Sequence, residues 1–165
     1  MAIRTHYSSQ VTSSDAEKEV TVAGWVHKLR DLGKLKFIVL RDVSGIIQIT
    51  LKQGLTDPGL IELATGLREE EVISVKGIVK PTKIAPKGRE ISPTRITVIS
   101  RLSGNLPISV SGNIDSNLDT RLDFRILDLR RPEVVAIFKV QSKLVEGMQD
   151  YLKGKTFRQI FGGDE

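Results

Sequence analysis

The residues best suited to chemistry on a ligand are an aromatic ring and an amide in two neighbouring β-forming runs. Phe37 lies in the middle of the first run and Gln48 lies in the second. A phenyl ring gives a nucleic-acid base a flat surface for stacking, and a glutamine amide offers a donor and an acceptor to a base edge. If Ile38 and Leu40 face inward, strand alternation places Phe37 on the outer face. The alternative is that Phe37 fills the core while Gln48 points to solvent.

Positive charge is concentrated in the first two thirds of the chain. Residues 1–105 contain 16 Lys and Arg against 11 Asp and Glu (16 − 11 = +5), and residues 106–165 contain nine of each sign. A compact basic module is typical of proteins that bind polyanions. The alternative is a solvated, lysine-rich sheet edge that discourages aggregation. The densest cluster comprises Lys76, Lys80, Lys83, Lys87 and Arg89.

Catalytic and metal-binding patterns are missing from the sequence. It has no cysteine and only two distant histidines, His6 and His27, which argues against disulfides and zinc. Gly154-Lys155-Thr156 resembles the end of a phosphate-binding loop, but Gln149 stands where that loop requires glycine. The acidic run 69–71 is interpreted as a water-exposed junction. With no apolar run of ~20 residues and no signal peptide, we expect a soluble, cytoplasmic protein without a membrane partner.

The elements that must position these residues follow the order β-β-β-α-β-β. Valine and isoleucine alternation predicts strands, and leucines at helical spacing predict one helix. This order is typical of an OB-fold, a five-stranded Greek-key barrel, so the fold class is mainly β. Gly24 suggests a bend or bulge, and Trp25 is interpreted as a core residue. The strands are predicted at 19–30, 35–42, 46–51, 72–79 and 91–99, and the helix at 58–67.

A linker and a helical segment follow the predicted barrel. Residues 101–118 are rich in Ser, Gly and Asn, and a charged stretch at 119–128 is predicted to be helical. Pro132 opens a longer amphipathic helix that Gly154 ends. We therefore divide the chain into a barrel domain at 1–104, a hinge at 105–131 and a helical segment at 132–165.

Three strings give the chain a resemblance to a known family. They are Arg4-Thr5-His6-Tyr7, AGWVHKLRDLGKLKFIVLRDVSGIIQIT at 23–50 and LDTRLDFRILDLRRPEVVAIFKVQS at 118–142. Together they resemble archaeal-type aspartyl-tRNA synthetases: the N-terminal anticodon-binding domain, the hinge and the first helix of the class II catalytic domain. The resemblance runs from about residue 4 to residue 161. It implies tRNA(Asp) as a partner.

The resemblance also implies roles for particular residues. Phe37 would stack on the central anticodon base, a uridine, and Gln48 would hydrogen-bond that base. Arg30 would contact the anticodon loop, and Glu90 would help to recognise the neighbouring positions. Lys80, Lys83 and Lys87 would form a basic rim. The alternatives are a surface ion pair of Arg30 with Asp31 or Asp42, and a Glu90 that balances Lys87 and Arg89.

Two further positions bear on which tRNA is recognised. Relatives that charge only tRNA(Asp) often have tryptophan where this chain has His27. Relatives that also accept tRNA(Asn) resemble this chain, with histidine there and proline at the place of Pro86. The resemblance therefore implies tRNA(Asn) as a second partner, and neutral drift in a surface loop is the alternative.

The sequence departs from the family near its end. Residues 156–161 resemble the start of class II motif 1, but Gly162-Gly163-Asp164-Glu165 follows, and motifs 2 and 3 are absent. The family uses ATP and Mg²⁺ to activate aspartate, so we expect this chain to lack activity and cofactors by itself. It would be part of a ligase, a free-standing tRNA-binding paralogue, a generic single-strand-binding module or an interaction protein. Residues 132–153 correspond to the helix that forms the family's homodimer interface.

Overall fold

The computed structural model describes residues 3–82, 85–111 and 116–155. Contacts along the chain divide it into two compact units, with the boundary between Asn105 and Leu106. The first unit contains the five predicted strands and one helix. The second contains the remaining helices.

The first unit is a closed five-stranded barrel. In the order β1-β2-β3-β5-β4, neighbouring strands pair antiparallel, except that β3 and β5 run parallel, and β4 pairs back with β1. The helix α1 joins β3 to β4. This topology confirms the predicted OB-fold. The strands are β1 (Glu19–Asp31), β2 (Leu35–Asp42), β3 (Gly45–Lys52), β4 (Val72–Pro81) and β5 (Arg89–Ser100), and α1 spans Pro58–Thr65.

Alternating branched apolar residues close the barrel around one core. On β2, Ile38 and Leu40 are buried while their neighbours remain half-exposed. The N-terminal arm contributes Val11, which is fully buried among the strand residues. Trp25 is half-buried and lies outside this core, so its interpretation as a core residue is wrong. Other members of the core are Val20, Val22, Val26, Ile47, Ile49, Leu51, Ile73, Val75, Val79, Ile91 and Ile96.

The β1–β2 pairing contains a bulge, but not at the predicted glycine. The register shifts between Val26 and Lys28, so His27 is the extra residue. Gly24 instead permits a close approach of two backbones, because a Cβ built there would lie 2.2 Å from the carbonyl oxygen of Arg41. A bulge bends its strand and turns local side chains to new directions, and here the affected side chain is that of His27.

Asp42 organises the tight connection between β2 and β3. Its carboxylate accepts hydrogen bonds from the backbone N–H groups of Ser44 (2.7 Å) and Gly45 (3.1 Å). It also accepts one from the N–H of Ser8, at 2.6 Å, which fastens the N-terminal arm to this turn. Burial by itself would raise the pKa of Asp42, but the hydrogen bonds from Ser8 and Ser44 outweigh burial and lower the pKa.

The acidic run 69–71 is not a water-exposed junction. Glu70 is 7% exposed and Glu71 only 2%. Glu71 accepts hydrogen bonds from the N–H of Leu102 (3.3 Å) and from the Arg101 guanidinium (3.1 Å). The expectation failed because the loop before β4 is folded inward against the barrel, where these carboxylates find partners.

The described residues of the second unit, 106–111 and 116–155, include three helices, and the predicted helix at 119–128 is interrupted. Helix α2 (Leu118–Asp123) and helix α3 (Arg125–Asp128) are separated at Phe124. Asp128 is fully buried and accepts hydrogen bonds from Arg121 (2.8 Å) and Arg125 (2.6 Å). Helix α4 (Pro132–Gly154) begins and ends as predicted. No helix within the described residues is long and apolar enough to cross a membrane.

Candidate nucleic-acid interface

The candidate site lies on the outer face of β1, β2 and β3. Phe37 on β2 stands opposite Arg30 on β1 and Thr50 on β3. Residues that face each other across antiparallel strands have Cβ atoms about 4.5–5.5 Å apart, so these three side chains form one row. The next row along the strands contains Val39 and Gln48.

Phe37 faces outward, as strand alternation predicts. Its neighbour Ile38 is 1% exposed, whereas Phe37 itself is half-buried. Beside the ring is an open cavity of about 170 Å³, lined in part by Leu29, Arg30 and Ala64. A half-buried ring beside an open cavity is suited to stacking on an unpaired base.

Gln48 is positioned by Glu90 and Thr50. The start of β5 runs parallel to β3 and places Glu90 beside Gln48. The Nε2 atom of Gln48 donates to Glu90 Oε2 at 3.0 Å and to Thr50 Oγ1 at 3.4 Å. Thr50 Oγ1 donates to the same carboxylate oxygen at 2.6 Å. Two alternatives raised by the sequence are therefore wrong. Gln48 does not point to solvent, because it is only 7% exposed. Glu90 contacts Gln48 and Thr50 and does not balance Lys87 or Arg89.

This arrangement fixes the orientation of the Gln48 amide. An ionised carboxylate only accepts hydrogen bonds, so the NH₂ group of Gln48 must face Glu90. The remaining polar atom of Gln48 is Oε1, for which the described part of the chain provides no hydrogen-bond partner. In the described part of the chain, the buried side-chain atoms without a hydrogen-bond partner are Ser8 Oγ and Arg89 Nε, and Gln48 Oε1 is not one of them. Gln48 thus offers an acceptor to a ligand.

Arg30 extends from the exposed end of β1 next to Phe37. Its two suggested partners are engaged elsewhere, because Asp31 pairs with Lys36 and Asp42 organises its turn. Among residues 3–82, 85–111 and 116–155, no carboxylate forms an ion pair with Arg30. An unneutralised guanidinium beside an aromatic ring is suited to a phosphate group or a base edge.

His27, at the bulge of β1, contacts a buried ion pair. Arg41 on β2 donates two hydrogen bonds to Glu70, at 2.8 and 3.0 Å, and its other terminal nitrogen lies 3.1 Å from His27 Nδ1. Burial lowers the pKa of His27, and the charge of Arg41 lowers it further, against the opposing effects of Glu70 and Glu69. The imidazole is therefore held in its neutral form near neutral pH.

Of the three lysines of the predicted basic rim, the structure describes Lys80 and Lys87. Lys80 on β4 forms an ion pair with Glu17 at 2.7 Å. Lys87 is exposed and has a left-handed backbone, with φ of 62°, in the short 3₁₀ turn Pro86–Gly88. Pro86 is the first residue of that turn, and Lys83 lies outside the described residues. The turn places Lys87 just before the start of β5.

Three residues of the site were missed from the sequence: Thr50, Arg41 and Glu70. Thr50 could have been found, because it stands two positions after Gln48 and shares its face of β3. Arg41 shares the outer face with Phe37 by the same alternation. Glu70 carried no usable signal, since its contact with Arg41 depends on how the loop before β4 folds.

Three comparisons place this geometry among known proteins. Residues 20–99 match a family model described as an OB-fold nucleic acid binding domain, tRNA_anti-codon. The chain is 45% identical over 157 residues to the aspartate–tRNA(Asp) ligase of Thermococcus kodakarensis, covering 95% of this chain and 36% of that protein. It is 40% identical to the aspartate–tRNA(Asp/Asn) ligase of Methanopyrus kandleri, covering 96% of this chain and 37% of that protein.

A solved structure resembles the chain over nearly its full length. It is the asparaginyl-tRNA synthetase of Pyrococcus horikoshii, with a TM-score of 0.81, 30% identity and coverage of 98% of this chain and 38% of that one. The chain therefore spans little more than a third of the relatives it matches, and corresponds to their N-terminal part.

Proposed function

Because this chain belongs to the family of aspartyl-tRNA synthetases and contains their anticodon-binding OB-fold domain, we propose that its outer face recognises an anticodon with a central uridine. Phe37 stacks on the uracil ring, and Gln48 Oε1 accepts a hydrogen bond from the uracil N3–H. Arg30 contacts the backbone of the anticodon loop. Glu90 orients Gln48 and borders the neighbouring base, and Lys80, Lys83 and Lys87 supply a basic rim.

The observation that carries this proposal is the pairing of a stacking surface with a directed acceptor. Phe37 faces outward, and one row away the Gln48 amide is oriented by a carboxylate 3.0 Å away. Uracil presents a donor at N3, whereas cytosine presents an acceptor there. A cytosine in the same position would bring two acceptors together and leave both unsatisfied, at a cost of about 1–3 kcal/mol.

We further propose that the recognition serves a complete aspartate–tRNA ligase. In that reaction aspartate is activated with ATP and Mg²⁺ and then transferred to tRNA, and the motifs that bind ATP in this family lie outside this sequence. Within this chain, the described residues include no group of three or more His, Asp and Glu side chains arranged to hold a metal. The proposed location is the cytoplasm, where charged tRNA is used.

The test is the affinity of the 165-residue chain for anticodon stem-loops that differ only at the central base. A loss of about 1–3 kcal/mol when uridine is replaced by cytidine supports the proposal. Equal affinity for both RNAs, together with a steep salt dependence, would identify a generic single-strand-binding module instead. No binding of either RNA at physiological salt would point to an interaction protein.

We propose that His27 and Pro86 allow both tRNA(Asp) and tRNA(Asn) to be recognised. The relatives do not decide this, because their names include both specificities at similar identity. The two tRNAs differ at the third anticodon base, which is cytidine or uridine. Stem-loops with either base should bind within about tenfold of each other, or ~1.4 kcal/mol, and a larger preference would contradict dual recognition.

We also propose that helix α4 pairs with a second copy of the chain. Its apolar residues are widely exposed, including Leu144 at 60%, Val145 at 50% and Met148 at 58%. An apolar surface of this extent is typical of an interaction site. Sedimentation equilibrium should show a dimer that a Val145→Glu substitution dissociates, while a monomer at all concentrations would contradict the proposal.

A further inference from the structure

The side chain of Arg41 contacts both Glu70 and His27, and the proposed anticodon recognition assigns no role to this pair of contacts. One terminal nitrogen, Nη2, donates hydrogen bonds to both carboxylate oxygens of Glu70, whose side chain is only 2% exposed. The other terminal nitrogen lies 3.1 Å from Nδ1 of His27. The guanidinium is therefore held at both of its terminal nitrogens, with Nη2 on the buried Glu70 carboxylate and Nη1 facing His27.

The chemistry of arginine determines the state of the histidine ring. A guanidinium only donates hydrogen bonds, so Nδ1 of His27 must be the acceptor and must lack a proton. A neutral imidazole carries its single proton on the other nitrogen, Nε2. No hydrogen bond to Nε2 occurs within the described ranges of the chain, so this N–H remains available to a ligand.

We infer that Arg41, anchored by Glu70, is a positioning residue that keeps His27 neutral with its proton on Nε2, so that His27 donates one hydrogen bond to a base carbonyl of the bound RNA. This inference rests on the proposed function, because it assumes that an anticodon lies on this face. It adds to that function the group that His27 presents, a neutral N–H donor, and the group proposed to accept from it, a base carbonyl oxygen.

A fixed donor explains how two pyrimidines could be accepted at one position. Cytosine and uracil both have a carbonyl oxygen at O2, and they differ at N3 and at the exocyclic group on C4. A donor directed to O2 binds both bases, whereas a group that contacts N3 distinguishes them. His27 held in this tautomer therefore favours tolerance of either base.

The charged groups around His27 are consistent with this state. Arg41 faces it from β2, Lys28 follows it on β1, and Glu69 and Glu70 face it from the loop before β4. Burial lowers the pKa of His27 first, and Arg41 and Lys28 act in the same direction. Glu70 and Glu69 oppose them without reversing the direction.

The first test measures the tautomer directly in the free protein. The chain has only two histidines, so ¹⁵N–¹H spectra of the imidazoles are assigned with a His6→Gln variant. In the wild type we expect His27 to carry its proton on Nε2 alone at pH 7.5. In Arg41→Lys, a single ammonium cannot reach both Glu70 and His27, so both tautomers should appear and the titration midpoint of His27 should rise.

A double variant and a control make this test decisive. Arg41→Met combined with Glu70→Leu removes both charges together, which avoids leaving either ion buried without its partner. It should show the same mixture of tautomers, and Arg95→Gln, on the exposed side of β5, should show none. The inference is overturned if an Arg41 variant that folds still shows the wild-type tautomer and the wild-type titration midpoint of His27.

The second test asks whether Arg41 acts through His27 in RNA binding. Arg41→Lys should weaken binding of stem-loops with a third-position cytidine or uridine by a similar factor, about two- to tenfold for one hydrogen bond. This loss should disappear when His27 is already alanine. A loss of equal size without His27 would mean that Arg41 contacts RNA directly. If the wild type binds neither stem-loop, the proposed function fails, while the tautomer measurement still decides the role of Arg41.

Discussion

Gly24 and the carbonyl oxygen of Arg41 approach each other so closely that a Cβ at position 24 would lie 2.2 Å away. Gly24→Ala must therefore displace the backbone of β1 or β2, and Arg41 with it. We expect a loss of at least about 2 kcal/mol in the free energy of unfolding, measured by urea denaturation.

Gly147 in α4 provides the matched control for that substitution. A Cβ there meets nothing within 4 Å, and alanine is the better helix former. Gly147→Ala should leave stability unchanged or raise it by up to about 1 kcal/mol. If Gly24→Ala were equally harmless, the close pairing of β1 with β2 would be incorrect.

Glu90→Gln should change base preference more than affinity. A glutamine at position 90 can donate as well as accept, so the Gln48 amide is no longer held in one orientation. The advantage of a central uridine over cytidine should fall by about 1 kcal/mol or more. The measurement is the ratio of dissociation constants for the two stem-loops, and an unchanged ratio would show that Glu90 does not orient Gln48.

Phe37→Ala should weaken binding of the uridine-containing stem-loop by about 1–3 kcal/mol, because base–aromatic stacking is lost. Phe37→Tyr keeps the ring and should retain most of the affinity. Phe124→Ala removes an exposed ring, 43% accessible, from the second unit, and should have no effect. Equal affinities of Phe37→Ala and the wild type in a fluorescence titration would exclude stacking.

Asp42→Asn should reduce stability in a pH-dependent way. The pKa of Asp42 in the folded chain lies below its ordinary value of 3.8. The ionised group therefore stabilises the fold above about pH 4, and this contribution is lost as the pH falls through the folded pKa. At pH 7 the variant should lose about 1–3 kcal/mol, because an amide has only one acceptor oxygen and its NH₂ group would face either the Ser8 N–H or the N–H groups of Ser44 and Gly45.

The difference between this variant and the wild type should shrink as the pH falls below 3.8 and through the lowered pKa of the folded wild type. Asp123 is exposed, so Asp123→Asn should stay within about 0.5 kcal/mol at every pH. A constant difference for Asp42→Asn across this pH range would mean that its ionised form contributes nothing.

Alternation of apolar residues was sufficient to predict the barrel and the exposure of Phe37. Ile38 and Leu40 are buried on one face of β2, which leaves only the opposite face for Phe37. The helix from Pro132 to Gly154 was also predicted, because both ends carry residues with strong positional preferences.

What the sequence could not supply were contacts between distant segments. Glu90 meets Gln48 only because β5 pairs in parallel with β3, 42 residues away along the chain. Glu70 and Glu71 were interpreted as exposed because their contacts with the distant Arg41 and Arg101 depend on tertiary folding, which local periodicity does not encode. The contact of Glu71 with Arg68 is local, at 3.8 Å, and does not by itself indicate burial.

The parallel pairing of β3 with β5 has a consequence for dynamics. Within the parts of the chain that the structure describes, it involves two residue pairs, Gln48 with Glu90 and Ile49 with Ile91, and is the shortest pairing in the barrel. Its amide hydrogens should therefore exchange with solvent sooner than those between β4 and β5. Since Gln48 and Glu90 are also the pair proposed to recognise the base, occupancy of this face should slow that exchange and couple RNA binding to closure of the barrel.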